Sequence, residues 1–253
     1  MPAPPSDPGT DAVSVPVAML REMIERTQFA VSLDETRLNL SGILFERPEG
    51  GKLRLVATDG HRLSMITRPV DGCPQGTGVI VPRKGVLEIS KVIEGGEEAV
   101  TLALPGGLAY AQRSGVDLSI RLVEGEFPDY RQVVPEKSER RMLVAAEDLL
   151  AALRRVSVVS SERTRGVKLQ LGGENLEISS VNPDLGEATE ELSVEYDGAP
   201  FTIGFNARYF IDVLAVLPTG SQVEVGFNDE VSPAVVRCEG DADFVYVVMP
   251  MRL

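Results

Sequence analysis

The stretch "VSVPVAMLREMIERTQF", residues 13 to 29, starts with valines at alternate positions and continues with Leu20, Met23, Ile24 and Thr27 at helical spacing. It predicts a short strand running into an amphipathic helix, with Pro16 near the helix start. The plan returns in "RMLVAAEDLLAALRRVSVV", residues 141 to 159, where Leu149, Ala152, Leu153 and Val156 fall on the matching face. A second pair of segments shares it. "VIVPRKGVLEISKVIEGGEEAVTLAL" (79 to 104) and "FTIGFNARYFIDVLAVLPTGSQVEVGF" (201 to 227) each read as strand, helix, tight turn and strand. Their apolar helix positions are Val86, Ile89 and Ile93 in one, and Phe210, Val213, Leu214 and Leu217 in the other. Alternating runs bounded by turn residues fill the intervals: "LNLSGILFE", "KLRLVAT", "LAYAQRS", "LSIRLVE", "GVKLQLGGENLEISS" and "PAVVRCEGDADFVYVVM". The chain is therefore two copies of a unit of about 125 residues, each built from two strand, helix, three-strand halves.

Such a unit sets two helices side by side on one face and antiparallel sheets on the other, an α+β arrangement. At 253 residues, two domains of ordinary size are expected. The boundaries that follow are 13–135 and 136–253. Ahead of them "MPAPPSDPGTDA" (1–12) holds four prolines and no apolar pattern, and reads as a disordered tail or linker remnant. The sheets are expected to carry acidic turns at Glu97 and Glu98, Glu190 and Glu191, and Asp241 and Asp243. The outward helix faces are expected to carry Arg21, Arg26, Lys84, Lys91, Arg154, Arg155 and Arg208. Glu22, Glu25, Glu88 and Asp212 share those faces, so a solvated surface of mixed charge is the plainer reading.

Composition narrows the function. With 43% hydrophobic and 25% charged residues the chain is a globular protein, not a disordered one. No apolar run approaches the roughly 18 residues that span a bilayer, and the N-terminus lacks a basic segment followed by an apolar core, which predicts a cytoplasmic protein with no membrane partner. Cys73 and Cys238 stand far apart and outside any CxxC spacing, so they are expected as small buried hydrophobes rather than zinc ligands or a disulfide. One histidine, His61, leaves no metal or acid/base scheme that needs two imidazoles, and no cofactor or metal is expected. A formal net charge of -13 argues against simple adhesion to nucleic acid, because that affinity comes from Lys and Arg neutralising phosphates.

Three short stretches invite chemistry. "ATDGHRLS" (57–64) can be read as a hydrolase site, with Asp59 orienting His61 and Arg62 holding an anion. No nucleophile elbow, second carboxylate or phosphate loop joins it, so the preferred reading is a turn in which Gly60 takes positive φ, Asp59 bonds its own backbone and His61 packs as a satisfied polar residue. "VPRKG" (81–85) places Arg83 and Lys84 at a helix start, either a phosphate-binding turn or a plain helix entry. "GEFPDYRQVVP" (125–135), between the copies, combines an aromatic anchor with prolines and suits a short ordered connector. The ending "YVVMPMRL" (246–253) is either a last strand with an apolar end or, through Met249 and Met251, an adaptable apolar contact surface.

"VATDGHRL", "VIVPRKG", "EFPDYRQVVP" and "YVVMPMRL", in that order within a duplicated unit, resemble the bacterial DNA polymerase III β subunit, the β sliding clamp. The resemblance runs from about Val13 to Leu253 and covers the second and third of that family's three domains, with the first absent. It implies the DNA-clamp processivity fold. Family chains join head to tail as a homodimeric six-domain ring whose helices line a hole around duplex DNA. Such a ring is a processivity factor in DNA replication, not an enzyme, and weak sequence-independent contacts suffice for it to slide. The candidates for DNA-facing contacts are Arg37, Arg83, Lys84 and Arg163.

The family also holds a short peptide motif of its partners in a cleft between the second and third domains. Carried over residue by residue, the resemblance implies a pocket from Leu40, Thr58, Gly60, His61, Arg62 and Leu63, with Pro128 and Val133 of the connector. Val247, Met249, Pro250, Met251, Arg252 and Leu253 of the tail complete it. An adjoining groove would use Arg37, Asn39, Asn206, Tyr209 and Pro233, with Asn39 standing where the family pattern has an aromatic residue. The implied partners are DNA polymerase and other clamp-motif proteins, namely the clamp loader, repair polymerases, mismatch-repair proteins and ligase, in a nucleoid-associated setting. Without a first domain the chain is expected as a monomer or weak oligomer. The competing readings are a non-loading scaffold that only sequesters clamp partners, and the hydrolase built on Asp59, His61 and Arg62.

Overall fold

The computed structural model describes residues 12–96, 98–161 and 164–252. The tail expected over 1–12, apart from Ala12, lies outside the described residues, as do Glu97, Arg163 and Leu253. The chain divides into two compact units, one ending at Asp129 and the next beginning at Tyr130.

The first unit runs β1 (Val13–Pro16), α1 (Val17–Glu25), β2 (Gly42–Arg47), β3 (Lys52–Thr58) and β4 (Arg62–Pro69), then β5 (Gly76–Pro82), α2 (Arg83–Val92), β6 (Ala99–Ala103), β7 (Leu108–Arg113) and β8 (Val116–Arg121). The second repeats it: β9 (Arg140–Ala145), α3 (Ala146–Val156), β10 (Gly166–Gly172), β11 (Asn175–Asn182) and β12 (Gly186–Ser193), a two-residue β13 (Glu195–Tyr196), then β14 (Phe201–Asn206), α4 (Ala207–Leu214), β15 (Gln222–Phe227), β16 (Ala234–Cys238) and β17 (Asp241–Val248). Within each unit the two halves exchange their first strands. β1 pairs antiparallel with β6, and β5 with β2, giving the orders β1-β6-β7-β8 and β5-β2-β3-β4. In the second unit β9 pairs with β15 and β14 with β10, giving β13-β9-β15-β16-β17 and β14-β10-β11-β12. Neither half closes its own sheet, so a unit is one cooperative body rather than two.

The helices pack side by side within each unit, α1 with α2 and α3 with α4. Their buried stripes are those of the periodicity: Leu20, Met23, Ile24 and Thr27 after β1, and Leu149, Ala152, Leu153 and Val156 after β9. Thr27 is tolerated in that apolar stripe because its hydroxyl donates to the Met23 carbonyl at 2.8 Å. Gly85 lets α2 lie close on β8, since a Cβ there would sit 2.5 Å from Ile120 Cγ2. In the second unit Phe205 meets Phe210 edge-on at 5.1 Å between centroids and Phe201 meets Phe227 at 5.7 Å, which ties β14 to α4 and β15.

Several sequence expectations need correction. Arg26, expected on an outward helix face, is 5% exposed and ion-paired with Glu22 at 3.0 Å, while Glu22 also receives Arg68 at 2.8 Å. One carboxylate between two guanidiniums makes burial of the Arg26 charge tolerable. Arg21 turns inward too, donating to the Ile93 carbonyl at the C-terminal end of α2 at 2.6 Å. Glu190 and Glu191 lie in β12, not a turn, and α4 ends at Leu214, leaving Leu217 beyond it and only half-buried. "LNL" of "LNLSGILFE" forms a single 3-10 turn before β2. Cys73 and Cys238 are buried free thiols, as expected. Burial pushes the Cys73 thiol up, against the opposing pull of Arg47.

Candidate functional site

In the first unit the site residues gather on the hairpin between β3 and β4. The Asp59 Oδ1 accepts the main-chain N–H groups of His61 at 2.9 Å and Arg62 at 3.1 Å, and its Oδ2 accepts Arg62 Nε at 3.0 Å. The Thr58 hydroxyl donates to the Arg62 carbonyl at 2.6 Å and accepts the Gly60 N–H at 3.1 Å. Gly60 takes φ +91°, and a Cβ there would stand 3.0 Å from Arg37 Nη1. The hairpin is therefore a self-bonded turn of the kind Asp-Gly favours. Both Asp59 oxygens serve the turn, and the carboxylate and guanidinium that a hydrolase would use are committed to each other.

Arg62 is anchored from a distant segment. Its Nη2 donates to the Phe29 carbonyl at 2.6 Å, and its guanidinium lies 5.5 Å from the Phe29 ring centroid. Sequence reasoning missed Phe29, because the contact spans 33 residues and no local signal marks it. Leu40, Thr58 and Leu63 are buried beneath the turn and Arg62 is half-buried, whereas Gly60 and His61 are exposed. His61 was expected to pack; its exposure on a tight turn makes it a surface group.

Arg37 lies beside this turn, and Asn39, two residues on, lies against the Gly125–Glu126 segment. Arg37 pairs with Asp34 at 3.0 Å and reaches the Ser32 hydroxyl at 3.4 Å. The Thr36 hydroxyl, at 2.6 Å, holds the Asp34 carboxyl below the usual range, helped by the Thr36 N–H and by Arg37. Asn39 donates to the Glu126 carbonyl at 3.2 Å, so its amide fastens the connector. Leu38 between them is 62% exposed, an apolar residue beside the expected set that periodicity could not reveal. Pro128, at the end of this unit, is exposed.

In the second unit the candidates converge on the ends of β14 and β17. Val247 is buried in β17 opposite Val235, and the pairing of Val248 with Ala234 sets Pro233 beside the point where the tail leaves the strand. Met249 is 37% exposed, Pro250 and Met251 are half-buried, and Arg252 is exposed. The Met251 N–H donates to the Gly204 carbonyl of β14 at 2.8 Å. Two residues on, Asn206 caps α4, its Oδ1 accepting the Arg208 N–H at 2.9 Å. Tyr209 follows on α4, its carbonyl accepting the hydroxyl of buried Tyr246 at 2.8 Å. The tail thus runs against β14 next to the α4 entry. Val133 lies in the 3-10 turn Tyr130–Val133, 43% exposed, beside buried Tyr130.

The helical cations are mostly neutralised. Arg155 reaches Glu190 through two bonds at 2.6 and 2.8 Å, Arg208 reaches Asp212 at 3.1 Å, and Lys91 reaches Glu88 at 2.8 Å. The bond to Arg155 holds the Glu190 carboxyl below its usual range. Arg83, Lys84 and Arg154 are exposed and have no ion pair among the described residues. Arg83 and Lys84 stand at the first turn of α2, where amide groups also face outward. Among the described residues no cluster of three or more His, Cys, Asp or Glu side chains could hold a metal ion, and no helix is long and apolar enough to cross a membrane.

Comparison with known proteins places both units. Residues 14–129 match the family model described as DNA polymerase III beta subunit, central domain, and residues 131–252 match that subunit's C-terminal domain. The beta sliding clamp of Salmonella typhimurium is 38% identical over 240 residues, which cover 95% of this chain and 65% of that protein. The Pseudomonas aeruginosa beta sliding clamp is 39% identical over 247 residues, covering 97% of this chain and 67% of its own length. The crystal structure of the Pseudomonas aeruginosa DNA polymerase III subunit beta superposes with a TM-score of 0.93 at 38% identity, covering 100% of this chain and 69% of that one. A sliding clamp from the same organism bound to griselimycin gives 0.93 as well, at 38% identity, covering 100% of this chain and 68% of its own. The chain thus spans about two thirds of the length of these relatives.

Proposed function

The chain belongs to the DNA polymerase III beta subunit family, and we propose that it acts as a sliding-clamp processivity component that holds partner proteins by a short peptide motif. The Thr58–Leu63 turn in the first unit and the Met249–Leu253 tail in the second are the recognition elements. The partners are DNA polymerase and other replication and repair proteins that carry the motif, and the role of the chain is to keep them on duplex DNA.

The observation that carries this reading is the closed bonding of the turn. Asp59 spends its oxygens on the main-chain N–H groups of His61 and Arg62 and on the Arg62 guanidinium, so "TDGHRL" offers a rigid wall with an exposed imidazole rather than a proton-transfer site. A preformed wall lowers the ordering cost when a peptide docks, and flexible Met249 and Met251 let one surface accept differing apolar side chains. The reading therefore needs no catalytic residue and no cofactor.

The charge distribution supports tethering without adhesion. Arg155, Arg208 and Lys91 are held by carboxylates, whereas Arg83, Lys84 and Arg154 have no ion pair among the described residues. A few phosphate contacts on an otherwise acidic chain suit sliding, where tight ionic binding would impede movement. Arg37 and Arg163 complete the proposed DNA-facing set, Arg37 by exchanging Asp34 for a phosphate.

The reading is tested by titrating a fluorescent clamp-motif peptide with the intact chain and with His61→Ala. Saturable micromolar binding that weakens several-fold on substitution is expected. Turnover of a substrate that vanishes in His61→Ala would instead establish the hydrolase.

A further inference from the structure

The second unit contains a pocket of about 430 Å³ on the sheet β14-β10-β11-β12, lined by Lys168, Ser179, Glu187, Met251 and Arg252 among others. The ladder explains how these side chains meet. Lys168 of β10 is directly opposite Ser179 of β11, and two residues along the same face Val181 is opposite Glu187 of β12. Directly paired residues and their second neighbours share one side of a sheet. The other side, carrying Ile178 and its partner Glu190, is the one that meets α3 through Arg155. The pocket therefore opens on the face turned away from the helices, with Met251 and Arg252 of the tail forming part of its wall.

Two of its polar groups have no bonding partner among the described residues. Ser179 is only 5% exposed, and its hydroxyl forms no hydrogen bond with another described residue. Neighbouring Ser180, by contrast, donates to the Gly166 carbonyl at 2.8 Å. Lys168 is half-buried and forms no ion pair among the described residues. A pocket-lining hydroxyl on a nearly buried residue, opposite a half-buried ammonium, is a donor pair that suits an acceptor entering the pocket.

We propose that this pocket binds the terminal carboxylate of a peptide ending in an apolar residue. Among the described lining residues Lys168 and Arg252 against Glu187 leave one net positive charge, which suits a single carboxylate better than a phosphate dianion. The Lys168 ammonium and the Ser179 hydroxyl donate to its two oxygens. The last side chain lies on Met251 and on Val181, which is 70% exposed, and the volume accommodates a residue rather than a bare ion. The inference does not depend on the clamp reading, although Met251 and Arg252 serve both sets.

The test is nitrogen-15 NMR of the intact chain titrated with N-acetyl-leucine, N-acetyl-leucinamide and inorganic phosphate, repeated on Lys168→Met and Ser179→Ala. Saturable shifts at the Lys168, Ser179 and Ser180 amides are expected with N-acetyl-leucine, with binding at least about tenfold weaker for the amide and for Lys168→Met. Ser179→Ala is expected to weaken binding several-fold. Absence of saturable shifts, equal binding of the amide, unchanged binding by Lys168→Met, or phosphate binding as tight as N-acetyl-leucine would each overturn the assignment. A clamp-motif peptide titrated into the same samples keeps failure here distinct from failure of the proposed function.

Discussion

The main-chain N–H of Met251 donates to the carbonyl of Gly204 at 2.8 Å, so the chain past the last strand returns to β14 instead of ending with β17. That single bond holds two methionines beside the start of α4. Met251→Pro removes the donor. Loss of one main-chain hydrogen bond costs about 1 kcal/mol, too little to unfold the unit. The expected result is an unchanged far-ultraviolet spectrum, faster amide exchange around Gly204 and several-fold weaker binding of a clamp-motif peptide.

Arg62 does three jobs at once: it pairs with Asp59, donates to the Phe29 carbonyl and stacks on the Phe29 ring. Its side chain is 10% exposed, so solvent screens these contacts little. Arg62→Ala is expected to cost about 2 to 3 kcal/mol, read as a lower urea midpoint, because it removes the guanidinium bonds to Asp59 Oδ2 and to the Phe29 carbonyl. Arg62→Lys is expected to recover only part of this, since an ammonium cannot reproduce the planar fork.

Gly85 sets two effects against each other. Alanine would gain about 1 kcal/mol in helix propensity. A Cβ 2.5 Å from Ile120 Cγ2 overpacks the α2–β8 contact, at about 1 to 3 kcal/mol. The second effect wins, so Gly85→Ala is expected to lower the melting temperature. Ile120→Val in the same chain is expected to restore much of the loss.

Asp229 lies in the loop before β16. The Ser232 hydroxyl, then the N–H groups of Val231 and Ser232, hold its carboxyl below the ordinary aspartate value. A folded-state pKa below the unfolded one stabilises the fold in full above the unfolded value, and the contribution disappears as pH falls through the folded value. The melting temperature followed from about pH 6 down to about pH 2.5 is therefore expected to fall less steeply for Asp229→Asn than for the unaltered chain.

The duplicated plan was legible because each helix announces itself by its own spacing: Leu20, Met23 and Ile24 recur as Leu149, Ala152 and Leu153. What periodicity could not show was which first strand joins which half, since β1 reaches β6 and β5 reaches β2 across dozens of intervening residues. β12 escaped because "GEATEELS" is an acidic edge strand with no fully buried position. The Asp59–Gly60 turn was readable from two adjacent residues, but its anchor at Phe29 was not. Arg26 was misplaced for a similar reason. Its burial depends on Glu22 and Arg68 meeting in space, and spacing on a single helix does not report that.

Partner binding is expected to depend most directly on the tail. The most direct measurement compares binding of a fluorescent clamp-motif peptide to the intact chain with binding to a variant ending at Val248. The fold of the variant is checked by its melting temperature, since Val248 retains its pairing with Ala234. Micromolar, saturable binding by the intact chain that is lost in the folded variant is the predicted result. Equal binding by both, or binding by neither, would contradict the assignment of Met249–Leu253 as a recognition wall.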